Sequence, residues 1–424
     1  MLKYQPRIID DELKRKLIVG AVLIKGPKWC GKTWTAQEQA KSSLLMDDPE
    51  KKEQNIALAK NSPSIALEGE TPRLIDEWQL VPKLWDAVRF EVDKRNVPSQ
   101  FILTGSAVPV DMNKVDHSGT GRIAQLLMRP MSLFESKESS GEVSLKDLFT
   151  SPSQISGSSK LGLRELAFVS CRGGWPRAIN YSGEDALTLS ESYYDGLAEN
   201  DISRVDGVRW SSNIAQIILR SYARNQAQQV SRETIREDTA SGDGISVSID
   251  TIYDYVETLR KLFVIEDSPA WNPNLRSKAA VRTTDTRYFV DPSIATQALG
   301  LSPDDLIQDL NTFGFIFETL CVRDLRIYAE SIGKTISHYR DSSGLECDAV
   351  VHSKDGKYGL IQIKLGSDDE TIEQAANKLI QLSRSIDESK MEKPAFCMIL
   401  VGNAPNAYRR DDGIFVVPIG CLKN

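Results

Sequence analysis

The chain has 424 residues, 41% of them hydrophobic, and a formal net charge of −7 at pH 7. This length predicts two to three domains, and the negative charge argues against a protein that coats nucleic acid with its whole surface. The longest apolar runs are too short to cross a bilayer and the first residues lack a signal-peptide core, so we predict a cytoplasmic protein without a membrane partner.

An apolar run at residues 21–24 is followed by a glycine-rich loop and a predicted helix. The loop reads G-x-x-x-x-G-K-T, the Walker A pattern, in which backbone N–H groups and a lysine surround nucleotide phosphates. A chance match in a surface turn is the alternative, but this loop is complete and stands between a strand and a helix. The residues predicted to bind the nucleotide are Gly26, Pro27, Lys28, Trp29, Cys30, Gly31, Lys32, Thr33 and Trp34.

Residues 73–79 form an apolar strand that ends in two acids, which is the Walker B pattern. Asp76 is predicted to hold Mg²⁺ together with the Thr33 hydroxyl, and Glu77 to orient or deprotonate the attacking water. An ordinary strand-end Asp-Glu pair is the alternative. Lys32 and Glu77 are the predicted catalytic residues.

A third apolar strand, residues 101–106, is predicted to lie beside the other two. Thr104 or Ser106 would then contact the γ-phosphate or the attacking water, although a plain strand and turn fit equally well. Arg122 and Arg129 are candidates for stabilising transition-state charge, in their own chain or in a neighbour's site within a homo-oligomer. A surface salt bridge is the alternative for each arginine.

The helical spacing of apolar residues at 81–90 predicts a crossover helix with Trp85 and Phe90 in the core. Residues 135–160 are rich in serine, glycine and charge, which predicts a linker. The predicted organisation is a P-loop ATPase domain (1–160), a helical cap (161–210), a winged helix-turn-helix (211–300) and a C-terminal α/β domain (305–424).

Three amphipathic helices and two strands predict the winged module. Its third helix exposes acids that phosphate would repel, so we do not expect it to read a DNA groove. Contact with a protein partner is one use of such a module. Contact with DNA or RNA through the predicted wing is the other, and it would involve Arg276, Lys278, Arg282 and Arg287.

A second group of chemically active residues lies in the C-terminal domain. Glu318 falls in a predicted helix, Asp348 in a strand, and Gln362 and Lys364 in the next strand. If the two strands pair with these faces together, three oxygen ligands suited to Mg²⁺ would converge beside a lysine. The pattern resembles the PD-(D/E)XK nuclease fold, with Gln362 where an acid usually stands. A nuclease-like domain that does not cleave is the alternative.

The order of these motifs resembles a prokaryotic family of AAA+ superfamily ATPases that carry a C-terminal domain of unknown function. The resemblance covers nearly the whole chain and includes the segments 4–10, 103–106, 121–122, 129–135, 173–176, 346–348 and 362–364. It implies an α/β P-loop fold with ATP and Mg²⁺ bound and hydrolysed through Lys32, Thr33, Asp76 and Glu77. It also implies a sensor at residues 104–106 and an arginine at position 122.

We therefore expect a Mg²⁺-dependent ATPase whose ATP state controls a winged-helix and nuclease-like module. One alternative is an ATP-gated nuclease of DNA or RNA. The other is a nucleotide-dependent regulator or scaffold that binds a protein partner without cleavage. Glu77 favours hydrolysis over binding alone, and Gln362 favours a non-cleaving C-terminal domain.

Overall fold

The structure, a computed structural model, describes residues 3–105, 119–150, 155–202, 211–272, 283–387, 389 and 391–424. These residues form two compact units. The first contains the described residues up to Pro130, with 199–202 and 258–263, and the second contains the remainder. The chain therefore enters the second unit after Pro130, which differs from the predicted boundary at residue 160.

The first unit is built on a five-stranded parallel sheet with the order β2-β3-β4-β1-β5. Its strands are β1 (Ala21–Lys25), β2 (Ser42–Leu45), β3 (Arg73–Asp76), β4 (Phe101–Thr104) and β5 (Ile123–Leu127). Its helices are α1 (Ile9–Lys16), α2 (Lys32–Gln39), α3 (Lys52–Asn61), α4 (Pro63–Ala66) and α5 (Lys83–Arg95).

Both faces of this sheet are buried, because alternate residues of each strand enter two different cores. Leu74 packs with α1 and α2, and its neighbour Ile75 packs with α3, α4 and α5. The predicted crossover helix is α5, and Trp85 is buried in it as expected. Phe90 was wrongly predicted as core: it is 59% exposed, because it lies on the solvent face of α5.

The sheet order explains how the three sequence motifs come together. Strand β4 pairs with both β1 and β3, which confirms the predicted adjacency of the three motif strands. Because all pairs are parallel, the carboxyl ends of these strands share one edge of the sheet, where ligands bind in open α/β folds.

The second unit combines helices with a seven-stranded mixed sheet of order β7-β12-β13-β11-β10-β9-β8. Its strands are β6 (Val143–Ser144), β7 (Gly157–Ser158), β8 (Thr335–Arg340), β9 (Glu346–His352), β10 (Tyr358–Lys364), β11 (Phe396–Val401), β12 (Asn406–Arg409), β13 (Phe415–Pro418) and β14 (Leu422–Lys423). The helices that follow β5 are α6 (Leu145–Thr150), α7 (Leu163–Arg172), α8 (Gly183–Gly196), α9 (Ser212–Arg224), α10 (Arg232–Gly242), α11 (Ile249–Lys261), α12 (Pro292–Leu299), α13 (Pro303–Gln308), α14 (Leu310–Ser331) and α15 (Asp369–Ser385). Helix α11 ends in the first unit.

The segment predicted as a linker is part of the second unit. Strand β7 pairs with β12, and β6 pairs with β14. The Ser139 hydroxyl donates to the Leu422 carbonyl at 2.7 Å, and Leu145 and Leu148 are buried. Serine-rich composition misled the prediction because a hydroxyl such as that of Ser139 can be buried when it bonds to a backbone carbonyl.

Residues 211–300 contain the three predicted helices, α9 to α11. In place of the two predicted wing strands, the structure has isolated antiparallel bridges that join Ile265 to Phe289 and Ser268 to Thr286. Arg276, Lys278 and Arg282 lie outside the described residues. Arg287 was wrongly assigned to an exposed basic wing: it is buried and pairs with Asp267 at 2.7 Å.

In the C-terminal part, α14 precedes three antiparallel strands, β8 to β10, and α15 then leads to β11, which is parallel to β10. Antiparallel pairing sets Ile361 opposite Ala349, so Gln362 and Asp348 are neighbours across the ladder. Of the described helices, none combines the length and the apolar character needed to cross a membrane.

Candidate functional site

The Walker A loop connects β1 to α2 and is shaped by two glycines with positive φ. Gly26 has a φ of +152°, and a Cβ there would lie 2.0 Å from the Met128 carbonyl oxygen. Gly31, with a φ of 99°, caps α2. Since only glycine fits both positions, the backbone curls as a phosphate-binding loop requires, and the amino end of α2 opens directly from it.

Lys32 lies inside this curve. It is only 7% exposed, and its Nζ donates to the carbonyl oxygens of Gly26 at 2.9 Å and Pro27 at 2.7 Å. These two carbonyls hold the ammonium group inside the loop. In the same loop, Lys28 pairs with Asp201, a residue far away in the sequence.

Arg7 contacts the Walker A loop through hydrogen bonds. No role was assigned to this residue from the sequence. Its guanidinium is buried and donates to the carbonyls of Cys30 at 2.9 Å and Arg129 at 2.8 Å. Arg7 therefore ties the Walker A loop to the segment after β5. The only signal in the sequence was its place in segment 4–10.

We expect Arg7→Met to destabilise the first unit by about 1–3 kcal/mol and to weaken ATP binding, because it removes the buried guanidinium that donates to two backbone carbonyls. Urea unfolding and nucleotide titration would measure the two effects. Arg15→Met is the matched control, because the Arg15 side chain is 66% exposed. Equal behaviour of the two variants would contradict the role of Arg7.

The Walker B acid lies beside the loop. The Thr33 hydroxyl donates to the two carboxylate oxygens of Asp76 at 3.1 and 3.3 Å, and the Thr104 hydroxyl also donates to Asp76. Burial raises the pKa of Asp76, and these two hydroxyl groups oppose the shift. A buried carboxylate next to a hydroxyl is an oxygen-donor set that fits Mg²⁺.

Glu77 follows directly and has a left-handed backbone, with φ 53° and ψ 42°. This conformation is uncommon for a residue other than glycine and turns the side chain away from the path of the strand. The Gln79 amide nitrogen donates to Glu77 Oε2. Asp76, Glu77 and Thr104 thus meet at the edge of the sheet that carries the Walker A loop.

Arg122 is not at this edge. Its carbonyl accepts from Ala21 at the start of β1, and its guanidinium pairs with Asp93 at 2.8 Å. The prediction that Arg122 returns to the γ-phosphate within its own chain is therefore wrong, because β5 begins after Arg122 and runs parallel to β1. A role in a neighbour's site stays a prediction, and Ser106 lies outside the described residues.

The C-terminal residues singled out in the sequence also come together. Asp348 accepts from the Gln362 amide nitrogen at 3.0 Å and from the Ile363 backbone at 2.7 Å, and Lys364 Nζ lies 3.9 Å from it. Glu318, Asp348 and Lys364 line one cavity of about 350 Å³.

Tyr288 is a further member of this site that sequence reasoning missed. Its hydroxyl donates to Glu318 Oε1 at 2.5 Å, inside the same cavity. Burial raises the pKa of Glu318 well above its usual value, and the charge of Asp348 adds to the shift. Burial also raises the pKa of Asp348, and Lys364 opposes that shift.

The predicted Mg²⁺ ligand set of this second site contains only two acids, Glu318 and Asp348, beside the Gln362 amide, and it stays a prediction. Within the described residues, no three His, Cys, Asp or Glu side chains lie close enough to hold a metal ion. Gln362 presents its amide nitrogen to Asp348, and its Oε1 is buried without a hydrogen-bond partner among the described residues. The Gln362 amide nitrogen and the Ile363 N–H thus each bond to one oxygen of the Asp348 carboxylate.

Three family models match consecutive parts of the chain: an AAA domain at residues 19–137, a domain of unknown function (DUF8612) at 163–305 and a second one (DUF4143) at 313–422. Uncharacterised proteins of Mycobacterium tuberculosis and Mycobacterium bovis are each 24% identical over 341 residues, which is 80% of this chain and 69% of theirs.

Two solved structures give the following similarities. A Walker-type ATPase of Pyrococcus abyssi has 17% identity and a TM-score of 0.41, covering 70% of this chain and 99% of that one. The ORC2 protein of Aeropyrum pernix has 12% identity and a TM-score of 0.30, covering 63% and 89%. The sheet order, the Walker A geometry and the match at residues 19–137 together support an AAA-type, ATPase-like domain with a P-loop fold.

Proposed function

We propose that the protein binds and hydrolyses ATP with Mg²⁺. The observation that carries this proposal is the meeting of Lys32, Thr33, Asp76 and Thr104 at one edge of a parallel sheet. A phosphate-binding loop alone would support binding. The buried Asp76 with its two hydroxyl donors, followed by Glu77, adds the groups that hydrolysis needs.

Each residue has a separate task in this proposal. Lys32 leaves the loop carbonyls and binds the β- and γ-phosphates, while Thr33 and Asp76 hold the metal ion. Bound Mg²⁺ would supply positive charge that offsets the charge developing on the phosphates. Glu77 orients the attacking water and accepts its proton, and Thr104 keeps the Asp76 carboxylate in place.

Phosphate release from the purified chain tests this function. We expect turnover with Mg-ATP and none when EDTA removes the metal ion. The assay is repeated with duplex and single-stranded DNA, and faster turnover with DNA would favour a nucleic-acid partner. ATP binding without phosphate release under any of these conditions would contradict hydrolysis and favour a nucleotide-dependent regulator or scaffold.

We also propose that the C-terminal domain is a nuclease-like module that does not cleave. The supporting observation is that an uncharged amide, Gln362, stands at this position and donates to Asp348, while Lys364 Nζ lies 3.9 Å from the same carboxylate. An amide oxygen would bind a metal ion more weakly than the acid usually present there.

We expect Gln362→Glu to bind Mn²⁺ at least about tenfold more tightly than the unmodified chain, because a third carboxylate, beside those of Glu318 and Asp348, replaces the amide. Calorimetric titration with Mn²⁺ measures the change, and nicking of plasmid DNA is assayed in parallel. Gln374→Glu on α15, at an exposed position, is the control. Metal-dependent nicking by the unmodified chain that is lost in Asp348→Asn would overturn the proposal.

The wider proposal is that the ATP state controls the modules that follow the ATPase domain. Its support is the order of the domains. Limited proteolysis of residues beyond Pro130 would be compared with ADP, with ATP and in the Glu77→Gln variant. Identical cleavage patterns in all states would contradict control by nucleotide.

A further inference from the structure

Gln79 connects the ends of two strands at the proposed ATP site. Its position is fixed by a short 3₁₀ turn, Trp78–Leu80, which follows Glu77 directly. Leu80 N–H donates to the Glu77 carbonyl at 3.1 Å, and buried Trp78 packs on Trp85 with ring centroids 5.0 Å apart. From this turn, the Gln79 side chain reaches back to the Glu77 carboxylate at the end of β3.

The nitrogen of the Gln79 amide has a hydrogen-bond partner among the described residues, and the oxygen has none. The Gln79 amide nitrogen donates to Glu77 Oε2. The amide oxygen, Oε1, is buried and has no hydrogen-bond donor among the residues that the structure describes. A buried acceptor without a donor costs free energy, so this oxygen is suited to a partner that arrives with the nucleotide.

The free end of the amide points at the end of β4. A Cβ on Gly105 would lie 2.3 Å from Gln79 Oε1, so the oxygen rests directly on the Gly105 backbone. Gly105 follows Thr104, whose hydroxyl donates to Asp76. The unpaired oxygen thus lies between the carboxyl ends of β3 and β4, the edge where the γ-phosphate and the attacking water are expected.

We propose that Gln79 is a positioning residue for hydrolysis: its nitrogen aims the Glu77 carboxylate, and its oxygen accepts a hydrogen bond from the attacking water. The water oxygen forms a bond to the γ-phosphorus, and the bond from that phosphorus to the β–γ bridging oxygen breaks. One water proton passes to Glu77, and the products are ADP and inorganic phosphate. This inference rests on the proposed ATPase function.

The test compares kcat with nucleotide affinity. Gln79→Met keeps the length of the side chain but removes both hydrogen-bonding groups, so kcat should fall about 100-fold while the Kd for a non-hydrolysable ATP analogue changes less than about twofold. Gln37→Met, at an exposed position on α2, should leave both values unchanged. Adding Glu77→Gln to Gln79→Met should lower kcat no further than Glu77→Gln alone, because the two residues act as one unit.

Gly105→Ala is a second test of the role of the Gln79 amide. The new methyl group would displace the flexible amide while the Gln79 residue stays in place, so kcat should fall without a matching loss of thermal stability. An active chain that is inactivated by Glu77→Gln but keeps kcat within about twofold in Gln79→Met overturns the inference alone. Equal losses of kcat and of nucleotide affinity also overturn it, in favour of a structural role. An unmodified chain without turnover overturns the proposed function and the inference with it.

Discussion

Glu77→Gln should abolish turnover while nucleotide binding is retained. The amide keeps the size of the side chain but cannot accept a proton from water, so kcat should fall by about 10²–10⁴-fold. The backbone at position 77 is left-handed with φ 53°, and glutamine tolerates this conformation as glutamate does. Phosphate release measures kcat, and calorimetry with a non-hydrolysable ATP analogue measures Kd.

Lys32→Ala is the companion variant and should lose binding as well as turnover. Lys32 is the cation that the loop carbonyls of Gly26 and Pro27 hold in the phosphate-binding curve. Lys60→Ala, at an exposed position on α3, is the control for loss of a lysine elsewhere in the first unit. Turnover that survives in both Glu77→Gln and Lys32→Ala would remove the assignment of this site.

Arg323→Met should strongly destabilise the second unit. Arg323 on α14 is 2% exposed and pairs with Asp291 at 2.9 Å and with Asp324 at 2.8 Å. Removing the guanidinium leaves two buried carboxyl groups without their cation, which costs about 3–5 kcal/mol. Burial already raises the pKa of Asp324 to about 6.

These two carboxyl groups also hold the backbone of distant segments. Asp291 accepts from the Gly174 N–H at 2.9 Å, and Asp324 accepts from the Leu133 N–H at 2.9 Å. The network therefore ties α12 and α14 to the segment that follows the ATPase domain and to the turn after α7. Removing Arg323 should therefore destabilise α12, α14 and the two backbone segments bonded to this network together.

Urea unfolding followed by circular dichroism measures the loss. Arg220→Met is the control, because the Arg220 side chain is 45% exposed and its ion pair with Asp243 should contribute less than about 1 kcal/mol. A triple variant that also carries Asp291→Asn and Asp324→Asn should be more stable than Arg323→Met alone, since it removes the uncompensated charges. Equal losses for Arg323→Met and Arg220→Met would contradict the buried network.

The sequence identified the parts of the ATPase site that are local in the chain. Strand, loop and helix are consecutive at residues 21–40, and two glycines enforce the backbone of the loop, so Lys32 and Thr33 could be assigned without a structure. The apolar run before Asp76 likewise marked a strand end. Parallel order then followed from the αβ alternation.

Residues that act across long sequence separations escaped this reasoning. Arg7 reaches Cys30 and Arg129, and Tyr288 reaches Glu318, yet no periodicity or spacing joins these positions. The prediction for Arg122 was wrong for a related reason. The sequence distance from a motif does not show at which edge of the sheet a residue lies. The parallel direction of β5 places Arg122 at the edge opposite the Walker A loop.

The sequence by itself determined the identity of the phosphate loop, the Walker B acids and the helix-and-strand order of residues 313–364, because each is carried by short patterns of side chains. Only the tertiary structure decided which polar side chains form hydrogen bonds or ion pairs with one another. Gln362 turns its nitrogen to Asp348, Arg287 pairs with Asp267, and Gln79 keeps one oxygen unpaired beside Gly105. The physical reason is that a buried polar group bonds to whichever partner the fold places beside it, and the neighbouring residues in the chain do not specify that partner.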